Sequence, residues 1–158
     1  MSRPADRGDL LHLERFLPHR LSVLTNTVSA ALAAEYSQRF DLSIPEWRVM
    51  AVLARAPGLS AAELAGRTAM DKVAISRAVA RLLASGRLRR QPATGDRRRL
   101  ALELSRSGRQ VYRQIVPWAL DYERRLLAAL TASSATALGD ALGALIERAN
   151  ALRKDRSP

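Results

Sequence analysis

Apolar residues recur every three to four positions over most of this chain. From Leu10 to Phe40 this period predicts a short helix or turn before Pro18 and then a long helix from about His19 to Arg39, because proline cannot continue an established helix. The same period returns in the last third of the sequence. There it predicts one helix from about Ser107 to Leu130 and another from Ala135 to about Arg153.

Three shorter helices are predicted in the middle of the chain from their capping residues. Ser43 is followed by Glu46, and Ser60 by Glu63, at the spacing at which a serine hydroxyl and a glutamate carboxylate cap the first turn of a helix reciprocally. Asp71 is a preferred N-cap residue for the third helix, which ends at a Ser-Gly pair. Three helices with tight connections therefore follow one another here.

The period then changes to two, which is typical of a strand. Residues 87–91 and 99–104 alternate, the latter with Leu100, Leu102 and Leu104 on one side, and a charged, turn-rich connection lies between them. This pattern predicts a β-hairpin with a basic tip. The predicted fold class is mainly α with one small hairpin (α+β), and the whole chain is predicted to form a single domain.

Positive charge is concentrated in one fifth of the chain. The sequence has 26 Lys and Arg against 15 Asp and Glu, a net charge of +11, and the segment from Arg67 to Arg99 holds +8 of it, opposed only by Asp71 and Asp96. An arginine-rich proteome or a solvated surface is the alternative, but neither explains the concentration; a polyanionic partner does. The ten basic residues are Arg67, Lys72, Arg77, Arg81, Arg87, Arg89, Arg90, Arg97, Arg98 and Arg99.

The helix that starts at Asp71 has an outer face suited to the major groove of DNA. Its core face is predicted to consist of Ile75, Ala78, Val79 and Leu82. The outer face has small residues beside its cations and no acid after the cap. Arg77 is predicted to contact a guanine, Ser76 a base or a phosphate, and Val73 a thymine methyl, while Lys72 and Arg81 at the edges contact phosphates. A plain amphipathic helix is the alternative.

The hairpin tip carries a second cluster of cations. Asp96, Arg97, Arg98 and Arg99 are predicted to project into a narrow minor groove, where arginine is favoured by the enhanced negative potential, with Asp96 orienting a guanidinium. A turn that is only solvated is the alternative.

These segments together resemble the winged-helix core of the MarR family of bacterial regulators over residues 42–109. The matching stretches are Trp47-Arg-Val, Ser60-Ala-Ala-Glu-Leu-Ala, Asp71-Lys-Val-Ala-Ile-Ser-Arg, Gly86-Arg-Leu-Arg-Arg, Asp96-Arg-Arg and Leu102-Glu-Leu-Ser-Arg-Ser-Gly-Arg. Ser105 replaces a threonine that is usual in the family at the exit of the hairpin. Val73 and Ala74 stand where polar residues are common, so the sequence does not predict the operator.

The resemblance implies a homodimeric regulator that binds a pseudo-palindromic duplex. Residues 10–40 and 107–153 would form interlocked dimerisation helices around the core, within the single domain of residues 1–158. Arg98 matches the family's minor-groove arginine, Asp96 the acid that positions it, and Ser76 with Arg77 the base-contacting stretch. An excess of apolar residues in the terminal segments supports the dimer, because the core is too small to cover them all.

Family members often respond to small aromatic acids or to oxidation of a cysteine. The second route is closed because the chain has no cysteine. For the first, the candidate ligand-binding residues are a set of cationic, imidazole and aromatic side chains expected to border the crevice beside the dimer helices, in which a cation would pair with a carboxylate and a ring would stack. Core packing and helix capping are the alternatives for each of these residues, which are His19, Arg20, Tyr36, Trp47 and Arg48.

Other classes of function find little support. The sequence lacks a nucleophilic cysteine, a glycine-rich phosphate loop and a metal-ligand cluster, so neither catalysis nor a metal or other cofactor is expected. A non-specific architectural or RNA-binding protein is the stronger alternative, yet the basic segment has no aromatic residue on which single-stranded bases would stack. Without a long apolar span or an apolar leader, the protein is expected in the cytoplasm, away from membranes. The sequence indicates a transcription regulator, and a repressor is favoured although the regulated genes and the promoter geometry are not encoded.

Overall fold

A computed structural model describes residues 11–68, 70–93 and 96–155, with the backbone alone at 93 and 96–99. The chain divides into two compact units, the first ending at Arg113 and the second beginning at Gln114, and each is described by itself. A 3-10 turn, Leu13–Arg15, precedes the regular elements. These are α1 (Leu17–Phe40), α2 (Ile44–Arg55), α3 (Ala61–Thr68), α4 (Lys72–Ala84), β1 (Leu88–Ala93), β2 (Asp96–Leu104), α5 (Arg106–Leu127) and α6 (Ala132–Lys154).

The long first helix begins two residues before its predicted start. Pro18 lies in the first turn of α1, where its missing N–H is not needed and its fixed φ suits a helix. The helix ends at Asp41, whose backbone adopts the left-handed conformation with φ 47° and ψ 54°. A non-glycine residue in this conformation is uncommon, and here it turns the chain sharply from α1 into α2.

The three predicted caps of the central helices are confirmed. Ser43 Oγ accepts a hydrogen bond from the backbone N–H of Glu46, whose carboxylate accepts one from the Ser43 N–H at 2.7 Å. Ser60 and Glu63 form the same reciprocal pair at the start of α3. Asp71 Oδ1 accepts from Ala74 N at 2.8 Å and caps α4. Each helix therefore starts at the residue that its local sequence specifies.

The core of the first unit is formed by α2, α3, α4, the base of the hairpin and the C-terminal part of α1. The predicted inner face of α4 is confirmed, because all four of its residues are buried. Gly86, with φ 68°, ends α4 and directs the chain into β1. The buried apolar residues are Tyr36, Leu42, Val49, Met50, Leu53, Leu59, Leu64, Ile75, Ala78, Val79, Leu82, Leu88, Ala101, Leu102 and Leu104.

The predicted hairpin is present, and its strands are longer than the sequence pattern indicated. Leu88 pairs with Leu104 at its base, and the antiparallel register continues to Pro92 opposite Leu100. Leu59 forms a bridge to Leu102, so the loop between α2 and α3 closes one edge of the hairpin. Of the three leucines that the alternation places on one side of the strand, Leu102 and Leu104 are buried, whereas Leu100 is 56% exposed.

The second unit contains most of α5 and all of α6. Thr131 caps α6 by accepting a hydrogen bond from Ser134 N, so α6 begins three residues before its predicted start. Pro117 lies within α5 without interrupting it. The described residues of α6 include none that is buried, although the helix carries a series of large apolar side chains. Those exposed by more than a third are Leu138, Leu142, Leu145, Ile146 and Leu152.

Candidate nucleic-acid interface

The outer face of α4 is exposed over its full length. Lys72, Val73, Ser76 and Arg77 all lie on this face, and Val73 is 60% exposed although it is apolar. The buried residues of α4 hold its opposite face against the core. These four predicted DNA-contacting side chains therefore share one solvent-facing surface of a helix, an element that a major groove about 12 Å wide admits.

Two cations of this face carry charge that none of the acids in the described part of the structure neutralises. Within the described part of the chain, Lys72 and Arg77 form no ion pair and no side-chain hydrogen bond. Asp71, the nearest acid, accepts a hydrogen bond from the helix N-terminus. The positive potential on this surface is thus available to an anion such as DNA.

Three other arginines of the basic segment are already engaged within the protein. Arg81 lies 3.3 Å from the carboxylate of Glu46, measured from its Nε. Arg87 donates hydrogen bonds to two backbone carbonyls at the end of α1, and Arg89 forms an ion pair with Glu103. The net charge of the segment is therefore larger than the charge available to a binding partner, because these three arginines are already paired within the protein. Arg81, predicted as a phosphate contact, thus has an intramolecular partner, Glu46, that its local sequence does not indicate.

The residues of the second predicted cluster of cations lie in the backbone of β2. β2 begins at Asp96 and continues through the arginine run. The predicted contacts of Asp96, Arg97, Arg98 and Arg99 concern side chains outside those that the structure describes. They stay predictions.

A compact set of hydrogen bonds fixes the root of the hairpin against α5. Ser105 Oγ donates to the carbonyl of Gly86 at 2.7 Å, and Ser107 Oγ donates to the same carbonyl at 2.9 Å. Ser105 Oγ also accepts from Gly108 N and so caps α5. The serine that replaces the family's usual threonine at this position therefore joins the hairpin exit to the start of α5.

Sequence comparison identifies the family of this chain. The model described as MarR family matches residues 40–99. The HTH-type transcriptional repressor Mb2911 of Mycobacterium bovis is 31% identical over 111 residues, which cover 70% of this chain and 76% of that repressor. The chain belongs to the MarR family. It is accordingly a DNA-binding transcription regulator rather than an enzyme.

Solved structures confirm the fold of this MarR-family regulator. A MarR/EmrR family transcriptional regulator from Acinetobacter sp. ADP1 is similar with a TM-score of 0.82 at 24% identity, over 89% of this chain and 99% of that chain. FabT of Streptococcus pneumoniae, solved in complex with DNA, is similar with a TM-score of 0.72 at 20% identity, over 86% and 96%. Both likenesses support the predicted α+β winged helix-turn-helix.

The helices and the acidic and imidazole side chains of this MarR-family chain bear on membrane insertion and metal binding. Taken singly, none of the helices in the described ranges is long and apolar enough to cross a membrane; α5 and α6 pass that test only as a bent pair. Over the same ranges, no three His, Asp or Glu side chains come together in a way that would hold a metal ion.

The five predicted ligand-binding residues of this regulator do not form one cluster within a chain. His19 and Arg20 lie beside a concavity of about 450 Å³ near the start of α1. Tyr36 lies on the same helix sixteen residues after Arg20, which corresponds to roughly 24 Å along the helix axis. Within one chain, the cations predicted to pair with a ligand carboxylate therefore lie far from the ring of Tyr36 predicted to stack on the ligand, and ligand binding stays a prediction.

Tyr36 and Trp47 instead pack with a third aromatic residue. The ring centroids of Tyr36 and Trp47 are 5.4 Å apart, and those of Trp47 and Tyr112 are 5.5 Å apart with nearly parallel planes. Tyr36 is 1% exposed, so its role is packing between α1 and α2. Arg48 is exposed on α2.

Burial of Tyr36 has a testable consequence at alkaline pH. It raises the pKa of the Tyr36 phenol to about 12, against about 10 in an unfolded chain. Between these values the folded protein keeps a proton that the unfolded chain has lost, so the free energy of unfolding falls as the pH rises. We expect the free energy of unfolding of wild type, relative to that of Tyr36→Phe, to fall by about 1 kcal/mol from pH ~9 to ~11, measured by urea unfolding. Tyr122→Phe is the control, and an equal change in both variants would contradict the assignment.

Proposed function

We propose that this regulator binds a specific pseudo-palindromic duplex as a homodimer and represses transcription there. The observation that carries the proposal is the outer face of α4, which is exposed, has no acid after its cap and presents Lys72 and Arg77, neither of which has a partner among the described residues. Such a face combines cations with small side chains, so the helix backbone can approach base edges closely.

The proposed contacts follow the positions on this helix. Arg77 donates to a guanine, Ser76 contacts a base or a phosphate, and Val73 packs against a thymine methyl. Lys72 contacts a phosphate and sets the register. The cations of the hairpin tip enter the adjacent minor groove, with Arg98 as the inserted side chain and Arg97 and Arg99 on the flanking phosphates, in the manner implied by the family resemblance.

Dimerisation is proposed from exposed apolar residues that a single chain leaves uncovered. In the first unit these follow the N-terminal part of α1, and in the second unit they follow α6, where Ile146 is 61% exposed. Monomeric proteins rarely expose so many large apolar side chains along whole helices. A two-fold dimer would place two copies of α4 about 34–36 Å apart, one turn of DNA. Sedimentation at several protein concentrations tests the dimer, and a monomeric mass throughout would reject it. The exposed apolar residues on α1 and just before it are Leu11, Leu13, Phe16, Leu17, Leu21, Val23 and Leu24.

Specific recognition is tested by competition between duplexes. The protein is titrated into a labelled duplex from upstream of its own gene, and separately into random duplex of equal length at the same salt concentration. A specific regulator binds its operator about 10³-fold or more tightly than random DNA. If no upstream fragment is preferred, the alternative of a non-specific architectural or RNA-binding protein is favoured instead.

We also propose that a small aromatic carboxylate binds the regulator and releases it from DNA. Support comes from the concavity lined by Glu14, His19, Arg20, Val23, Leu24 and Thr27, which is large enough for a small ligand and offers the guanidinium of Arg20 to a carboxylate. Such an effector would act by favouring a state in which the two α4 helices are wrongly spaced for DNA. Calorimetry with benzoate and salicylate, alone and with operator bound, would reject this part if neither binds. The regulator acts in the cytoplasm, where the DNA is, and needs no cofactor for binding.

A further inference from the structure

Arg81 lies on the recognition helix α4, but its guanidinium faces two acids of the preceding elements. Its Nε is 3.3 Å from Glu46 Oε1, and its Nη2 is 3.9 Å from Asp41 Oδ1. The side chain of Glu46 is only 3% exposed, whereas that of Arg81 is 64% exposed. A phosphate that approached Arg81 would therefore have to compete with an acid buried beside it.

Glu46 needs this partner because its charge is buried. Its Oε2 accepts hydrogen bonds from Ser43 N at 2.7 Å and from Ser43 Oγ at 2.5 Å, which cap α2. Its Oε1 has Arg81 as the cation within ion-pair distance among the described residues. A buried carboxylate is costly unless it is both hydrogen-bonded and paired with a cation. The capping box thus joins the start of α2 to the last turn of α4.

Residues 40–46 connect α1 to α2, and we call them the α1–α2 junction. Arg87 binds this junction through two backbone carbonyls. Its Nη1 donates to the carbonyl of Asp41 at 2.9 Å, and its Nη2 donates to the carbonyl of Phe40 at 2.6 Å. These carbonyls close the C-terminal end of α1, where Asp41 adopts the left-handed conformation. Arg81, in the last turn of α4, and Arg87, at the start of the hairpin, therefore both contact the α1–α2 junction.

We propose that Arg81 is a positioning residue, which sets the orientation of α4 against the α1–α2 junction through Glu46, and that it is not a contact to a DNA phosphate. This inference rests on the proposed use of α4 as the DNA-contacting helix. It replaces the expectation, drawn from sequence alone, that Arg81 neutralises a phosphate. The structural reason is that the carboxylate of Glu46 occupies Nε, while the second acid, Asp41, lies beside Nη2 and lowers the potential that a phosphate would meet.

The two roles predict opposite effects of a change at Glu46. If Arg81 acts through Glu46, then Glu46→Gln loses the ion pair and weakens operator binding, as Arg81→Ala does, and the double variant is no weaker than either single variant. If Arg81 contacts a phosphate, then Glu46→Gln frees the guanidinium and strengthens binding, and the effects of the two changes are independent.

The slope of log affinity against log salt concentration distinguishes the roles directly. On random-sequence duplex, losing one phosphate contact reduces the slope by about one unit per bound subunit. We expect this reduction for the control Lys72→Ala and an unchanged slope for Arg81→Ala, with operator affinity lower by about tenfold for Arg81→Ala and Glu46→Gln. Because the slope is measured on random duplex, it is interpretable even if the proposed operator recognition fails.

Each variant is first melted, and binding is measured where the variant is fully folded. A slope that falls by about one unit for Arg81→Ala overturns the proposal. So does an operator affinity that stays at the wild-type value in a folded but less stable variant, since Arg81 would then serve stability alone. If Arg81→Ala does not fold, Glu46→Gln decides: weaker operator binding supports the positioning role, and unchanged or tighter binding overturns it.

Discussion

Replacing Arg77 with alanine is expected to reduce the preference of this regulator for its operator over random duplex by about 1–3 kcal/mol. Arg77 is exposed on the outer face of α4 and has no intramolecular partner among the described residues. Its guanidinium is therefore free to make two parallel hydrogen bonds to one guanine, an interaction that other bases do not offer. The measurement is a pair of titrations, with operator and with random duplex, at one salt concentration.

Lys72→Ala is the matched control for this result. Lys72 lies on the same helix and also lacks a partner within the described ranges, but it stands at the edge where a phosphate is expected. Its loss should weaken binding to both duplexes by the same factor, because phosphates carry no sequence information. If Arg77→Ala behaves in the same way, Arg77 is an electrostatic contact and the bases are distinguished by other residues.

Replacing Gly108 with alanine is expected to lower the free energy of unfolding by about 3 kcal/mol, near the upper end of the cost of overpacking. A β-carbon at this position would lie 2.0 Å from the carbonyl oxygen of Arg87 and 3.0 Å from its carbonyl carbon. That oxygen accepts a hydrogen bond from Ser105 N, so it cannot withdraw without breaking the root of the hairpin. Urea unfolding at fixed protein concentration, which an oligomer requires, measures the change.

Gly66→Ala is the control for helical propensity. Gly66 lies in α3, and a β-carbon there would meet no atom within 4 Å. Alanine is favoured over glycine in a helix by about 0.5–1 kcal/mol, so this variant should be as stable as wild type or slightly more stable. An equally stable Gly108→Ala variant would mean that α5 can move away from the hairpin without cost.

Arg77 and Arg81 are four residues apart, and the helical period places both on the outer side of α4, with Arg81 nearer its edge. The exposure of Arg77 follows from the 3.6-residue period, which places it opposite the buried residues of α4. Nothing local indicates that Arg81 meets Glu46, which precedes it by 35 residues and was recognised only as a helix cap.

In the hairpin and the aromatic residues, too, the sequence predicted some features and packing decided the others. Alternation correctly predicted a strand containing Leu100, but the extent of the core along that strand depends on where the loop at Leu59 forms its bridge. Tyr36 and Trp47 looked available for a ligand, yet they pack against each other in the first unit. The need for glycine at position 108 could not be predicted from local sequence, because the carbonyl that a β-carbon there would meet belongs to Arg87, 21 positions earlier.

Local sequence was sufficient for the helices, their caps, the hairpin and the outer face of α4. Each of these depends on hydrogen bonds or side-chain periods that span fewer than about five residues. The tertiary structure alone decided which arginines of the basic segment are free and which are held by acids or carbonyls. An ion pair depends on the distance between two charged atoms and not on their separation along the chain, so Arg81 and Arg87 acquired their partners only when the helices packed together, and Arg89 met Glu103 only when the two strands paired.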